Sequence, residues 1–172
     1  MPGFFRLIYL VAIALAVVMP IRNWVGEPVV IVSGSMEPTI AVGDLMILDK
    51  WTLRRRPPRK GDIVSFRSPL SKEDLVKRVI AVPGDTVELR AKVVFVNDQR
   101  QDEPFAVHSR ANSILDGDDM GPLTVPANSF FVLGDNRDES NDSSVWTDSS
   151  GEHIYFLKAS ALQGFVRELP WL

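Results

Sequence analysis

Three short stretches of this 172-residue chain hold side chains whose types and spacing suit chemistry. The first is Ser33-Gly34-Ser35-Met36-Glu37-Pro38-Thr39, directly after the apolar run Val29 to Val32. A serine at a strand end beside a glycine exposes its hydroxyl and backbone N–H together. That suits a nucleophile whose own amide helps hold an oxyanion. Ser-Gly-Ser also occurs in ordinary turns, so the stretch alone does not decide. The second is Val76-Lys77-Arg78-Val79-Ile80-Ala81-Val82-Pro83-Gly84-Asp85. On a strand, Lys77 shares its face with Leu75, Val79 and Ala81. A lysine amine is ordinarily charged, with a pKa of about 10.4. Desolvation disfavours the ammonium, and a neutral amine can take a serine proton. The alternative is a lysine whose stem packs while its tip reaches water. The third stretch, Gly134-Asp135-Asn136-Arg137-Asp138-Glu139-Ser140-Asn141-Asp142-Ser143, follows the apolar run Phe130 to Leu133. Its short polar side chains can bond nearby backbone, as a plain loop or as a brace for a site.

Composition removes several other chemistries. There is no cysteine, which excludes thiol nucleophiles, disulfides and thiolate metal sites. The two histidines, His108 and His153, lie apart in polar stretches, which disfavours a histidine triad and a zinc site. Net charge is −3, without the basic excess of a nucleic-acid binder. The one basic run, Arg54-Arg55-Arg56 with Arg59 and Lys60, is broken by Pro57-Pro58 and reads as a solvated loop. Contact with lipid headgroups or a partner is its alternative. Asp116-Gly117-Asp118-Asp119 lacks the spaced ligands of a calcium loop and reads as solvated.

These residues need a scaffold, and the pattern supplies a β-rich one. Leu7 to Met19 is an unbroken apolar run. Extended from Phe4 to Trp24 it gives 21 residues, or about 31 Å of helix, enough to span a bilayer. Arg6 and Arg22 fall near the two interfaces, and Trp24 at headgroup level. A cleavable signal peptide competes with this reading, but the small residues lie inside the apolar run and not after it. One arginine on each flank leaves orientation open. After Glu27 come short β-branched runs between turn residues: Val29 to Val32, Leu45 to Leu48, Ile63 to Phe66, Leu75 to Val82, Thr86 to Leu89, Val93 to Val96 and Phe130 to Leu133. Val93 to Val96 followed by Asn97-Asp98 predicts a hairpin. Leu53 to Arg59 and Asp98 to Pro122 read as irregular.

The three stretches, in this order and after an N-terminal apolar segment, resemble type I signal peptidases, which are serine–lysine proteases. The resemblance covers about Val29 to Asp142 with a gap in the middle. It implies a mostly β fold: a complex antiparallel β catalytic domain preceded by one transmembrane helix. Residues 1–25 would be the anchor and 26–172 the peptidase domain, with 91–128 a variable insertion. The domain would face the extracytoplasmic side of a cytoplasmic or equivalent membrane, crossed once.

By the same resemblance, Ser35 matches the nucleophile and Lys77 the general base. Ser33 matches the hydroxyl that joins the Ser35 amide in the oxyanion hole, and Ser140 the hydroxyl that orients the lysine. Asp135 and Arg78 resemble a structural ion pair, and Asp142 a supporting acid. Ile31, Met36, Ile40 and Val76 are similar to apolar positions of the pocket for the residue before the cut. The implied partners are preprotein signal peptides and the lipid bilayer, with no nucleic acid, metal or cofactor. The chain departs from the family at three places: Glu139 for an asparagine, Ser144 for an arginine, and Thr147 for a glycine. Without the arginine, Asp142 is expected to lack its usual partner. Two rivals stay open: a serine–lysine protease dedicated to one secretion or conjugation substrate, and a non-catalytic signal-peptide-binding homologue. A LexA-like self-cleaving regulator is disfavoured, since a membrane segment replaces any DNA-binding domain.

Overall fold

The computed structural model describes residues 2–168; the last four residues assigned to the peptidase domain lie outside them. In chain order the elements are α1 (Pro2–Pro20), β1 (Gly26–Val30), β2 (Leu45–Asp49), α2 (Lys50–Arg55), β3 (Ile63–Arg67), β4 (Asp74–Ala81), β5 (Thr86–Arg90), β6 (Val93–Val96), β7 (Gln99–Arg100), β8 (Met120–Thr124), β9 (Ser129–Leu133), β10 (Leu157–Lys158) and β11 (Leu162–Glu168). Residues Gly3–Pro20 of α1 have a mean hydropathy of 2.1, are long enough to cross a membrane, and are not buried inside the protein. The regular helix ends at Pro20 and not at Trp24. A proline lacks the N–H that would extend the ladder, and a π-helical turn follows over Ile21–Val25.

Two antiparallel sheets form the rest. One has seven strands in the order β1-β2-β11-β3-β4-β9-β10, the other four in the order β7-β6-β5-β8. Alternation along β4 sends its two faces into different clusters. Lys77 is paired with Val64, and Val79 with Val132. Val64, Val79 and Val132 pack with Phe66, Trp146 and Phe165. Val76 points the other way, against Ile31, Met36 and Ile40. A register shift between Val79 and Ala81 moves Ala81 off the Lys77 face, where strict alternation would have kept it. Ala81 packs instead with Ile80, Phe131 and the small sheet's Val87 and Val96.

Other expectations change as well. Val29 to Val32 is not a buried strand: β1 lies at an edge, with Val30 and Val32 58% and 85% exposed. Lys50 to Arg55 is a short helix, because the Asp49 carboxylate caps it by accepting from the Thr52 amide at 2.9 Å. Arg56 is not simply solvated, since it donates twice to Asp62 at 2.6 and 3.0 Å. The 98–122 stretch, read as irregular, contains β7 and the start of β8. The predicted hairpin is present: Asn97 and Asp98 have φ of 54° and 61° and join β6 to β7.

Candidate active site

The Ser33 to Thr39 stretch contains a single 3-10 turn, Gly34–Met36, anchored because Met36 is buried in the apolar cluster. This turn carries Ser35 to the end of β4's Lys77. Lys77 Nζ donates to Ser35 Oγ at 2.6 Å, and the two residues are 2% and 7% exposed. Burial pushes the Lys77 amine down to about 8, against the opposing charges of Asp142 and Asp135. The cause is desolvation: an ammonium loses water that the apolar face does not replace. Ser33 Oγ lies 3.4 Å from Ser35 Oγ, and Ser33 is exposed. The Ser35 amide lies in the first turn of its helix, where N–H groups have no intrahelical acceptor.

The polar stretch after β9 packs directly on this pair. Gly134 sits where a Cβ would come 2.5 Å from the Ser35 carbonyl oxygen and would collide with Ser140. Glycine is required there by close approach. Asp135 is fully buried, accepting from Arg78 Nε at 2.8 Å, Arg78 Nη2 at 2.6 Å and Thr39 Oγ1 at 2.5 Å. One carboxylate thus joins β4 to the residues just after the nucleophile turn.

Ser140 donates to Asp142 Oδ2 at 2.5 Å, so its hydroxyl hydrogen is directed to the acid and not to Lys77. Asp142 does not lack partners. Gly134 N donates to it at 2.9 Å, Ser144 N at 3.1 Å and Ser144 Oγ at 2.8 Å. The serine standing where the family has arginine fills the vacancy itself. Ser143 ties the loop to β9, its N–H bonding the Val132 carbonyl at 3.2 Å and its hydroxyl accepting from Val132 N at 3.1 Å. Thr147 is exposed and bridges to His153, so its departure from glycine lies away from Ser35 and Lys77.

Asn136 was not singled out in the sequence. Its Nδ2 donates to the Gly34 carbonyl at 3.2 Å and its backbone N–H to the Ser35 carbonyl at 3.1 Å. In a trans peptide, fixing the Gly34 carbonyl also fixes the direction of the Ser35 N–H on the opposite side. No sequence signal marks this role, because the contact joins residues 102 positions apart.

Ile31, Met36, Ile40 and Val76 meet in one cluster. Ile31 and Val76 also line an open groove of about 530 Å3 with Val29, Val32, Ser65 and Gln163, beside the exposed edge of β1. Met36 and Ile40 are buried and do not line it. Among the described residues, no group of three or more acidic or histidine side chains is placed to hold a metal ion.

A hydroxyl held by a buried amine, with a second hydroxyl and a first-turn amide beside it, is equipment for acyl transfer of the serine-hydrolase kind. Comparison with known proteins gives the family. The family described as "Signal peptidase, peptidase S26" matches residues 4–171. Signal peptidase I of Bacillus caldolyticus is 34% identical over 168 residues, 92% of this chain and 87% of that protein. Signal peptidase I of Leptolyngbya laminosa is 38% identical over 144 residues, 79% of this chain and 68% of that one. A crystal structure of a signal peptidase I from Enterococcus faecalis is 28% identical, covering 64% of this chain and 97% of that one with a TM-score of 0.49. The chain belongs to the signal peptidase family, peptidase S26, and is an enzyme of that family.

Proposed function

We propose that this chain is a membrane-anchored serine endopeptidase that removes signal peptides from exported preproteins. The observation that carries the reading is the 2.6 Å contact between the Lys77 amine and the Ser35 hydroxyl inside an apolar setting. Family membership supports the substrate class.

Residues 1–25 serve as a single-pass anchor and 26–172 as the peptidase domain on the extracytoplasmic side, with 91–128 as a variable insertion. The apolar α1 supports the anchor. A signal peptide enters as an extended strand along the free edge of β1, held by main-chain hydrogen bonds. A small side chain before the cut enters the groove lined by Ile31 and Val76, with Met36 and Ile40 packed in the same cluster. Neutral Lys77 takes the Ser35 proton as Oγ attacks the carbonyl carbon. The Ser35 N–H and the Ser33 hydroxyl hold the oxyanion. Lys77 then protonates the leaving amine, and activates water to hydrolyse the ester. Ser140 and Asp142 brace the loop beside Lys77, and the Arg78–Asp135 pair fixes the strand below it. The scheme uses no metal or organic cofactor.

The test is a panel of unrelated preproteins offered to the purified full chain in lipid vesicles. Cleavage of most of them after small residues supports a general signal peptidase. Cleavage of one alone marks a dedicated processor, and cleavage of none sinks the reading.

A further inference from the structure

The segment between β5 and β9 lies outside the dyad, yet its charged side chains converge on one carboxylate near it. Asp138, two residues before Ser140, has a side chain 1% exposed. Lys92 Nζ donates to Asp138 Oδ1 at 2.8 Å and to Asp118 Oδ1 at 3.0 Å. The Arg110 N–H donates to Asp138 Oδ2 at 2.6 Å, the Arg110 guanidinium reaches the Asp138 carbonyl, and His108 Nδ1 stands 3.4 Å from Oδ1. Asp118 is therefore no solvated loop residue: it is buried and also accepts from the Leu115 N–H at 2.6 Å.

Lys92 is itself aimed by its backbone. Ala91 and Lys92 have φ of 47° and 70°, and their N–H groups bond Asp119 Oδ1 at 2.7 Å and the Asp118 carbonyl at 2.9 Å. A second set of contacts runs alongside. Arg137 grips Glu103 with two bonds of 2.9 and 2.8 Å and donates to the Gly134 carbonyl at 3.0 Å. Val107 N donates to the Asp135 carbonyl at 2.8 Å and its carbonyl accepts from Arg137 N at 3.0 Å. Gly117 packs so closely that a Cβ there would lie 2.7 Å from Ser144 Oγ.

We propose that Lys92 and Asp138 are positioning residues through which the 91–118 segment straps the Gly134 to Ser144 loop onto the Ser35–Lys77 pair. The proposal rests on the reading of Ser35 and Lys77 given above. The route is short. Asp138 belongs to the 3-10 turn Arg137–Glu139, Ser140 follows it, Ser140 bonds Asp142, Asp142 accepts from the Gly134 N–H, and Gly134 leaves no room for a Cβ beside the Ser35 carbonyl. Removing Lys92 leaves a buried carboxylate short of its cation, which loosens the turn. The groups facing Lys77 are Asp142, Asp135 with its partner Arg78, and the Ser35 hydroxyl. A loop that drifts away both removes the Asp142 charge, which raises the Lys77 pKa, and lets water reach the amine, whose burial lowers it, so the Lys77 titration shifts.

The experiment measures kcat, KM and the pH midpoint of cleavage of a preprotein by the full chain in detergent micelles. Wild type is compared with Lys92→Met, Lys92→Arg, Asp138→Asn and Ser35→Ala, with folding followed by circular dichroism. Lys92→Met and Asp138→Asn are expected to lower kcat by about 10–10²-fold, the scale of a small misplacement of reacting groups. KM should hold, the pH midpoint should move from the wild-type value, and Lys92→Arg should keep most of the rate. If Lys92→Met does not fold, Asp138→Asn carries the same expectation. Folded variants with wild-type kcat and midpoint, or a change confined to KM, overturn the strap. Wild-type cleavage by Ser35→Ala overturns the dyad reading instead.

Discussion

The Lys77 amine donates to the Ser35 hydroxyl at 2.6 Å from a strand face that leaves lysine 2% exposed. An amine this dry favours its neutral form. Its pKa falls to about 8, so as the proposed base it would be half neutral near that pH. Activity is therefore expected to rise from pH 6, pass its midpoint near 8 and level above it. A pH profile of single-turnover cleavage checks this, and a flat chemical step from pH 6 to 9 would count against it.

The same shift has a stability consequence. A lysine whose folded pKa lies below its unfolded value burdens the fold fully below pH 8. That burden is relieved as pH rises from 8 toward the unfolded value of 10.5. Lys77→Met is expected to be more stable than wild type at pH 6 to 7, with the gap narrowing above pH 8. Denaturant melts at several pH values measure it.

Asn136 holds the Gly34 carbonyl and through it the Ser35 N–H. Asn136→Ala is expected to lower kcat by up to about 10²-fold, no more than the 10²–10³ lost with a whole oxyanion donor. KM and the pH midpoint should not move, because Lys77 keeps its surroundings. Steady-state kinetics across pH read all three.

Gly134 leaves no room for a methyl group between Ser35 and Ser140. Gly134→Ala is expected to abolish cleavage by displacing the nucleophile turn or the loop. Single-turnover assays on folded protein, confirmed by circular dichroism, provide the check.

Trp146 is fully buried and packs edge-on against Phe66 at 5.8 Å. Trp146→Ala is expected to cost about 3–5 kcal/mol. Among the described residues the indole N–H has no partner, so Trp146→Phe removes an orphan donor with the ring and should cost less. Urea melts of the two variants separate these.

β2 to β6 and β9 were legible in the sequence because their β-branched runs alternate or are bounded by turn residues, whereas β1 runs Gly26–Val30 and not over the expected Val29 to Val32. β11 was not legible, although it lies between β2 and β3 in the large sheet. Its sequence carries Gly164 and ends in Arg167-Glu168, which hide the pattern; at Gly164 a Cβ would lie 2.8 Å from Leu48 Cδ1 and 3.0 Å from the Asp49 carbonyl oxygen. β10 has only two residues and no periodicity to read. Within the site, Ser35, Lys77, Ser33, Asp135 and Asp142 were named by motif, and the structure brings them together. Asn136, Gly134 and Lys92 were not named as site residues, since their roles depend on backbone approach and long-range contact. The loss of arginine at position 144 suggested a poorly supported acid. That inference failed because Ser144 and Gly134 donate to Asp142 from positions the sequence does not relate.

Ser35 and Lys77 are proposed to act as one catalytic unit. Single-turnover cleavage of a preprotein is compared for the wild type, Ser35→Ala, Lys77→Met and the double variant in the same vesicles. Each single change is expected to cost at least about 10⁴-fold, and the double variant to be no slower than either, as for residues that work together. Cleavage by Ser35→Ala within tenfold of wild type would contradict it.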